Sequence, residues 1–148
     1  MTRLIALVTF GFFAAVAHAE DTQSEAPEPV FLTENAVDLS EFVWTKRPIV
    51  VFADSENDPN FRQQMEFLQA QEAELRERDV VVMTDTTPGT IGPLREKLRP
   101  RGFMLVLIGK DGAVKLRKPF PWDVREISRS IDKMPMRQRE IRERKADG

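Results

Sequence analysis

Three short, unbroken apolar runs constrain this chain more than any other feature: Ile49-Val50-Val51-Phe52-Ala53, Val80-Val81-Val82-Met83, and residues 103–108. Runs this short and rich in β-branched residues, with no polar alternation, are the pattern of strands covered on both faces. A sheet with helices on either side follows. Pro48 precedes the first run and the polar string Asp54-Ser55-Glu56-Asn57-Asp58 ends it. Asp79 opens the second run, and the loop Asp85-Thr86-Thr87-Pro88-Gly89 follows it.

Between the runs the apolar period changes from continuous to helical. Asp58-Pro59 supplies a helix start, an acceptor for a free amide followed by a residue pre-set for the first helical position. Phe61, Met65, Leu68 and Leu75 then lie largely on one helical face, predicting a helix that continues to Arg78. A shorter helix is predicted over 93–98, with Ile91, Leu94 and Leu98 at helical spacing. Gly109-Lys110-Asp111-Gly112 predicts a tight hairpin turn into the alternating strand Val114-Lys115-Leu116-Arg117. Val124, Ile127, Ile131 and Met134 mark one stripe of a last helix, and Pro135 restarts a highly charged helix or tail over 136–148. The order βαβαββα is the plan of the thioredoxin fold. It predicts an α/β three-layer sandwich with a mixed sheet: a parallel three-strand core built by two helical crossovers, and an antiparallel edge hairpin.

The amino-terminal end reads as an address. Arg3 precedes an apolar run over 4–16, and Ala17-His18-Ala19 stands ahead of Glu20-Asp21. That is the layout of a secretory signal over 1–19, cut after Ala19, and the run is shorter than the roughly 20 residues of a spanning helix. The expected location is periplasmic or secreted, with no membrane anchor after cleavage. Residues 20–34 are acidic and broken by Pro27 and Pro29, and are expected to form a disordered linker, with order beginning near Val30 and the thioredoxin-like domain covering 35–135.

The chain has no cysteine, and its one histidine, His18, would leave with the signal. Thiolate nucleophiles, disulfides, iron–sulfur clusters, sulfur-based zinc sites and histidine-dependent catalysis are thereby excluded from the mature chain. No glycine-rich phosphate loop occurs, and no cofactor or metal is expected. Losing Arg3 leaves 21 basic residues against 24 acidic, a formal charge of −3. This balance argues against a nucleic-acid partner.

Several motifs carry a family resemblance. The stretch from Phe103 to Gly112 resembles the last hairpin of thioredoxins, and Arg101-Gly102 ahead of it resembles the same strand in peroxiredoxins, where the arginine assists peroxide chemistry. On that alignment the family's CxxC falls on Glu56-Asn57-Asp58-Pro59, with both sulfurs replaced. More specifically, Arg47-Pro48 leading into Val-Val-Phe-Ala, the Asp58-Pro59 loop, Arg78-Asp79-Val-Val-Val, the segment 107–117 and the late Ile131-Asp-Lys-Met-Pro-Met-Arg137 resemble the domain of unknown function 4174. That resemblance implies a peroxiredoxin-like fold in a small exported bacterial protein, over roughly residues 40–140. Its suggested oxidoreductase role rests on the fold alone.

Asp54, Ser55, Glu56, Asn57 and Asp58 sit where an open α/β sheet presents ligands, at the carboxyl end of a strand, and with Arg101 they are the candidate ligand-binding residues. The spacing lacks the glycine and distal glutamate of a calcium loop, and Asp58 doubles as a helix cap. Charge is polarised along the chain: residues 20–58 sum to −8 and residues 95–118 to +6. Phe42, Trp44, Phe52, Phe120 and Trp122 are expected in the core or at helix ends. Three functions follow as expectations. The leading one is an exported, redox-inactive thioredoxin-like domain that binds a partner protein or a small ligand. The second is an enzyme using carboxylates and Arg101 at the former redox site. The third is an adhesion-like structural module working through the basic half.

Overall fold

The structure, a computed structural model, describes residues 26–33 and 38–148. The predicted signal over 1–19, the first part of the predicted linker and residues 34–37 lie outside the described residues.

The first apolar run forms β1, Arg47–Phe52, buried at every position. Its side chains divide by parity. Ile49 and Val51 face one layer, with Leu68, Leu75, Ile127 and Ile131, and Val50 and Phe52 face the other, with Leu39, Leu94 and Leu98. The second run forms β2, Val80–Asp85, and the third forms β3, Met104–Ile108, followed by β4, Val114–Lys118. The sheet order is β2-β1-β3-β4. Helices α1 (Pro59–Ala70), α2 (Glu72–Glu77) and α4 (Val124–Asp132) cover the first face. On the second lie α3 (Pro93–Leu98) and a 3-10 turn at Leu39–Phe42. The three-layer sandwich is as expected.

Strand direction corrects the sequence reading in one respect. β1 and β2 are parallel, but β3 runs antiparallel to β1, as β4 does to β3. The parallel core is thus one pair of strands, not three strands. Helix length explains it. α1 has 12 residues and spans about 18 Å, enough to return the chain along a strand. α3 has 6 residues and rises only about 9 Å, so the chain re-enters the sheet at the end where β2 left it. Pro48 is tolerated in this central strand because it pairs only with Val81 of β2 and lies before the first β1–β3 pair, Ile49 with Leu107.

Four further expectations are refined. The long helix up to Arg78 breaks at Gln71 (φ −126°) into α1 and α2. Residues 30–32, inside the predicted linker, are anchored: the Leu32 amide donates to the Val82 carbonyl at 2.9 Å, the Val82 amide donates to the Val30 carbonyl at 2.7 Å, and Val30 is buried. Two of the aromatic residues expected in the core or at helix ends are exposed, Trp44 by 65% and Phe120 by 54%. Finally, the charged carboxyl-terminal segment is an ordered helix, α5 (Pro135–Asp147), whose first turns are docked through Arg137, 2% exposed, and half-buried Glu140, while residues 142–148 are exposed.

Candidate functional site

At the carboxyl end of β1 the polar string is a well-bonded turn. The Asn57 amide donates to Ser55 Oγ at 3.1 Å, and the Asp58 amide donates to the Ser55 carbonyl at 3.2 Å. Asp58 Oδ1 accepts from the Asn60 amide at 2.8 Å and caps α1, with Pro59 next in line. Asp54, Ser55, Glu56 and Asn57 are exposed and Asp58 is half-buried. Arg101 is also exposed, and none of the ion pairs or hydrogen bonds among the described residues joins it to this loop. The structure therefore brings together Ser55, Asn57 and Asp58 through turn and cap bonds and does not join Arg101 or the other carboxylates to them. No group of acidic or histidine residues suited to a metal occurs among the described residues.

Directly beneath this loop lies a group that periodicity does not reveal. Arg95, on the inner face of α3, donates from Nε to Asp85 Oδ1 at 2.9 Å and from Nη2 to the Ala53 carbonyl at 2.9 Å and the Asp85 carbonyl at 3.1 Å. Its guanidinium stands 5.4 Å from the centroid of the Phe52 ring. Asp85 Oδ1 also accepts from the Thr87 amide at 3.0 Å. Arg95 and Asp85 close the carboxyl ends of β1 and β2 with a largely buried ion pair, a bracing arrangement in which Arg95 Nε and Nη2 and Asp85 Oδ1 are all bonded within the protein.

The opposite end of the sheet is more heavily charged. Arg47, 1% exposed, donates from Nη1 to the Arg78 carbonyl at 2.9 Å and from Nη2 to Glu140 Oε1 at 3.0 Å. Lys110 Nζ bridges Glu140 Oε1 at 2.7 Å and Asp79 Oδ2 at 2.8 Å. Arg78 makes a two-pronged contact with Asp132, Nε at 3.0 Å and Nη2 at 2.9 Å, and Arg137 Nε reaches the same carboxylate at 3.2 Å. Burial pushes the Glu140 carboxyl up, but hydrogen bonds from Arg47 and Lys110 and their charges outweigh it and lower the group to about 2. For Asp132 burial likewise raises the pKa, and the bonds from Arg78 and Arg137 more than reverse it. The Asp132 bond in turn raises Arg78 above its ordinary value, against desolvation. Every basic member of this cluster lies in a segment that carries the family resemblance, Arg47-Pro48, Arg78-Asp79, Lys110 and Arg137, yet spacing alone gave no sign that they converge. The two basic residues Arg95 and Lys110 are thus internal, and the free basic surface of the 95–118 span is smaller than its sequence charge.

A cleft of about 550 Å³ lies between α1–α2 and α4, lined by Glu74, Arg78, Asp123, Arg125, Arg129 and Asp132 among others. Its charges are balanced in sign, and Glu74, Arg78 and Asp132 are engaged with one another.

A βαβ unit with an antiparallel strand pair and covering helices defines a thioredoxin-like protein. The solved structures similar to this chain agree: Plasmodium vivax 2-Cys peroxiredoxin in its reduced form superposes with a TM-score of 0.55 at 18% identity, covering 70% of this chain and 85% of that one. Plasmodium yoelii Prx1a superposes with a TM-score of 0.51 at 20% identity, covering 70% and 81%. At these identities the likeness shows the fold alone. No curated protein matches the chain in sequence. Within the class, the chain belongs to the family described as domain of unknown function (DUF4174), matched over residues 38–140.

Proposed function

We propose that this chain is a redox-inactive thioredoxin-like domain that works by binding a partner protein or small ligand after export to the periplasm or the cell exterior. One observation carries the redox-inactive half. A neighbour in fold is named for two cysteines, whereas this sequence has none, and the segment 56–59, where the resemblance to thioredoxins places the redox motif, serves as the capped start of α1. A capping carboxylate held by a backbone amide has neither the polarisable sulfur nor the reversible two-electron chemistry of a thiol. The export half is supported by the leader-like layout of residues 1–19.

The test is a turnover assay on the chain beginning at Glu20, with hydrogen peroxide and a dithiol, and separately with the disulfides of insulin. Rates indistinguishable from buffer are expected. Turnover matching a 2-Cys peroxiredoxin run alongside would overturn the assignment. For export, the mass of the protein from the periplasmic or culture fraction is expected to begin at Glu20; full-length protein confined to the cytoplasm would refute it.

A further inference from the structure

A second cleft, about 500 Å³, opens where β4, the free edge of the sheet, meets the junction of α4 and α5. Its volume falls within the roughly 300–1,000 Å³ of sites that hold small molecules. Lys115, Lys118 and Lys133 stand around it, Leu116, Trp122 and Met134 are the apolar lining, and no carboxylate lines it. Those three apolar residues pack against the main core, so the lining is held in place. Lys118 Nζ lies 4.6 Å from the centroid of the Trp122 ring, which fixes a cation beside an aromatic face. Lys115 is paired with Asp111 at 2.7 Å, while Lys118 and Lys133 are in none of the ion pairs among the described residues.

Lysines on an edge strand commonly serve to keep other chains from pairing with it. That role accounts for Lys115 but not for this arrangement. Lys133 is not on the strand at all; it follows the last turn of α4 and reaches the same cleft. Arg117, between Lys115 and Lys118 in sequence, is turned away and donates to the Leu98 carbonyl at 2.6 Å. Lys118 and Lys133 border an apolar and aromatic surface, which offers an organic anion both a charge partner and a hydrophobic contact.

We propose that this cleft binds small organic anions with a flat apolar body, such as arylcarboxylates or arylsulfonates, the acid group between Lys118 and Lys133 and the ring system against Trp122 and Leu116. The assignment rests on the binding function proposed above and names a site and ligand class for it. The chain has two tryptophans, so Trp44→Phe leaves Trp122 as the sole indole reporter.

The experiment titrates the full chain carrying Trp44→Phe with 1-anilinonaphthalene-8-sulfonate, following Trp122 emission. N-phenyl-1-naphthylamine, the same aryl body without the sulfonate, is the control. Saturable quenching by the anion is expected, with the uncharged analogue about tenfold weaker or worse, since a charge-assisted contact separates them. Lys118→Gln with Lys133→Gln is expected to weaken the anion by about tenfold or more, and Lys118→Arg with Lys133→Arg to restore most of it. Circular dichroism checks that each variant is folded. Equal binding of the two probes, or anion binding unchanged in the glutamine pair, would overturn the proposal. So would capture of an oligoglutamate peptide with no response to the arylsulfonate, which would mark the lysines as a protein-docking surface. Neither result bears on the turnover assay, so loss of this site leaves the redox-inactive assignment to be judged separately.

Discussion

Replacing Glu140 with glutamine keeps its shape and removes its charge, which isolates the clamp between α5 and the amino end of the sheet. The carboxylate takes bonds from Arg47 at 3.0 Å and Lys110 at 2.7 Å, with Arg137 Nη1 at 3.4 Å. In the unfolded chain a glutamate titrates near 4.3, whereas in the fold this one is lowered to about 2. At 1.36 kcal/mol per pKa unit the difference is about 3 kcal/mol. The Glu140 side chain is 20% exposed, and solvent screening reduces the figure to about 2 kcal/mol. Because the folded value lies below the unfolded one, this stability is complete above roughly pH 5 and is lost as pH falls toward 2. Urea unfolding at pH 7 and pH 3 reads it directly, with the wild-type-minus-variant difference cancelling the other carboxylates. Glu140→Gln is expected to lower stability by about 2 kcal/mol at pH 7 and by about half as much at pH 3. A difference that does not shrink on acidification, or one under about 0.5 kcal/mol at pH 7, would refute the electrostatic account of the clamp.

Asp58→Ala removes the α1 cap and is expected to cost about 1 kcal/mol in urea unfolding while leaving arylsulfonate binding at the β4 cleft unchanged; a loss of binding would show that the loop is part of a ligand site. Arg95→Met strands the Asp85 carboxylate in the interior and is expected to cost about 3–5 kcal/mol, read as a fall in thermal midpoint on the order of 10 °C. Asp85→Asn on that background should recover part of the loss, and no recovery would mean that packing over Phe52, not charge, dominates. Arg99 closes α3 at φ 48°, a left-handed position that suits glycine, so Arg99→Gly is expected to stabilise by about 1 kcal/mol; destabilisation would mean that its side chain contributes more than the strain.

What could be read from the sequence was local. The strands announced themselves through β-branched runs, the start of α1 through Asp58, the stripe of α4 through Val124, Ile127 and Ile131, and the turn before β4 through Gly112, which takes φ 79°. Strand direction was less visible, because it depends on whether a connector is long enough to return, and six helical residues are not. Polar residues with tertiary roles were invisible to periodicity. Gln64 is fully buried because its amide both donates to and accepts from the Trp122 backbone, at 2.9 Å and 2.8 Å, a partner far away in sequence. The mixed charges of residues 137–145 have the appearance of a solvated helix for the same reason. Their partners Arg47, Glu77 and Lys110 come from other elements, and no window on the sequence contains both sides. The ligand-site expectation at 54–58 and Arg101 followed the position that the fold favours; there Asp58 caps α1, as its sequence suggested, while the Arg95–Asp85 pair beneath it gave no sequence signal.

The clamp also imposes an order on synthesis. Arg47 and Glu140 stand 93 residues apart, so the first strand of the sheet meets its counter-charge only when the last helix has left the ribosome. Until then Arg47 has only the Arg78 carbonyl, and Lys110 only Asp79, to bond at that end of the sheet. The contacts of α5 are therefore the last to be added to the amino end of the sheet during synthesis.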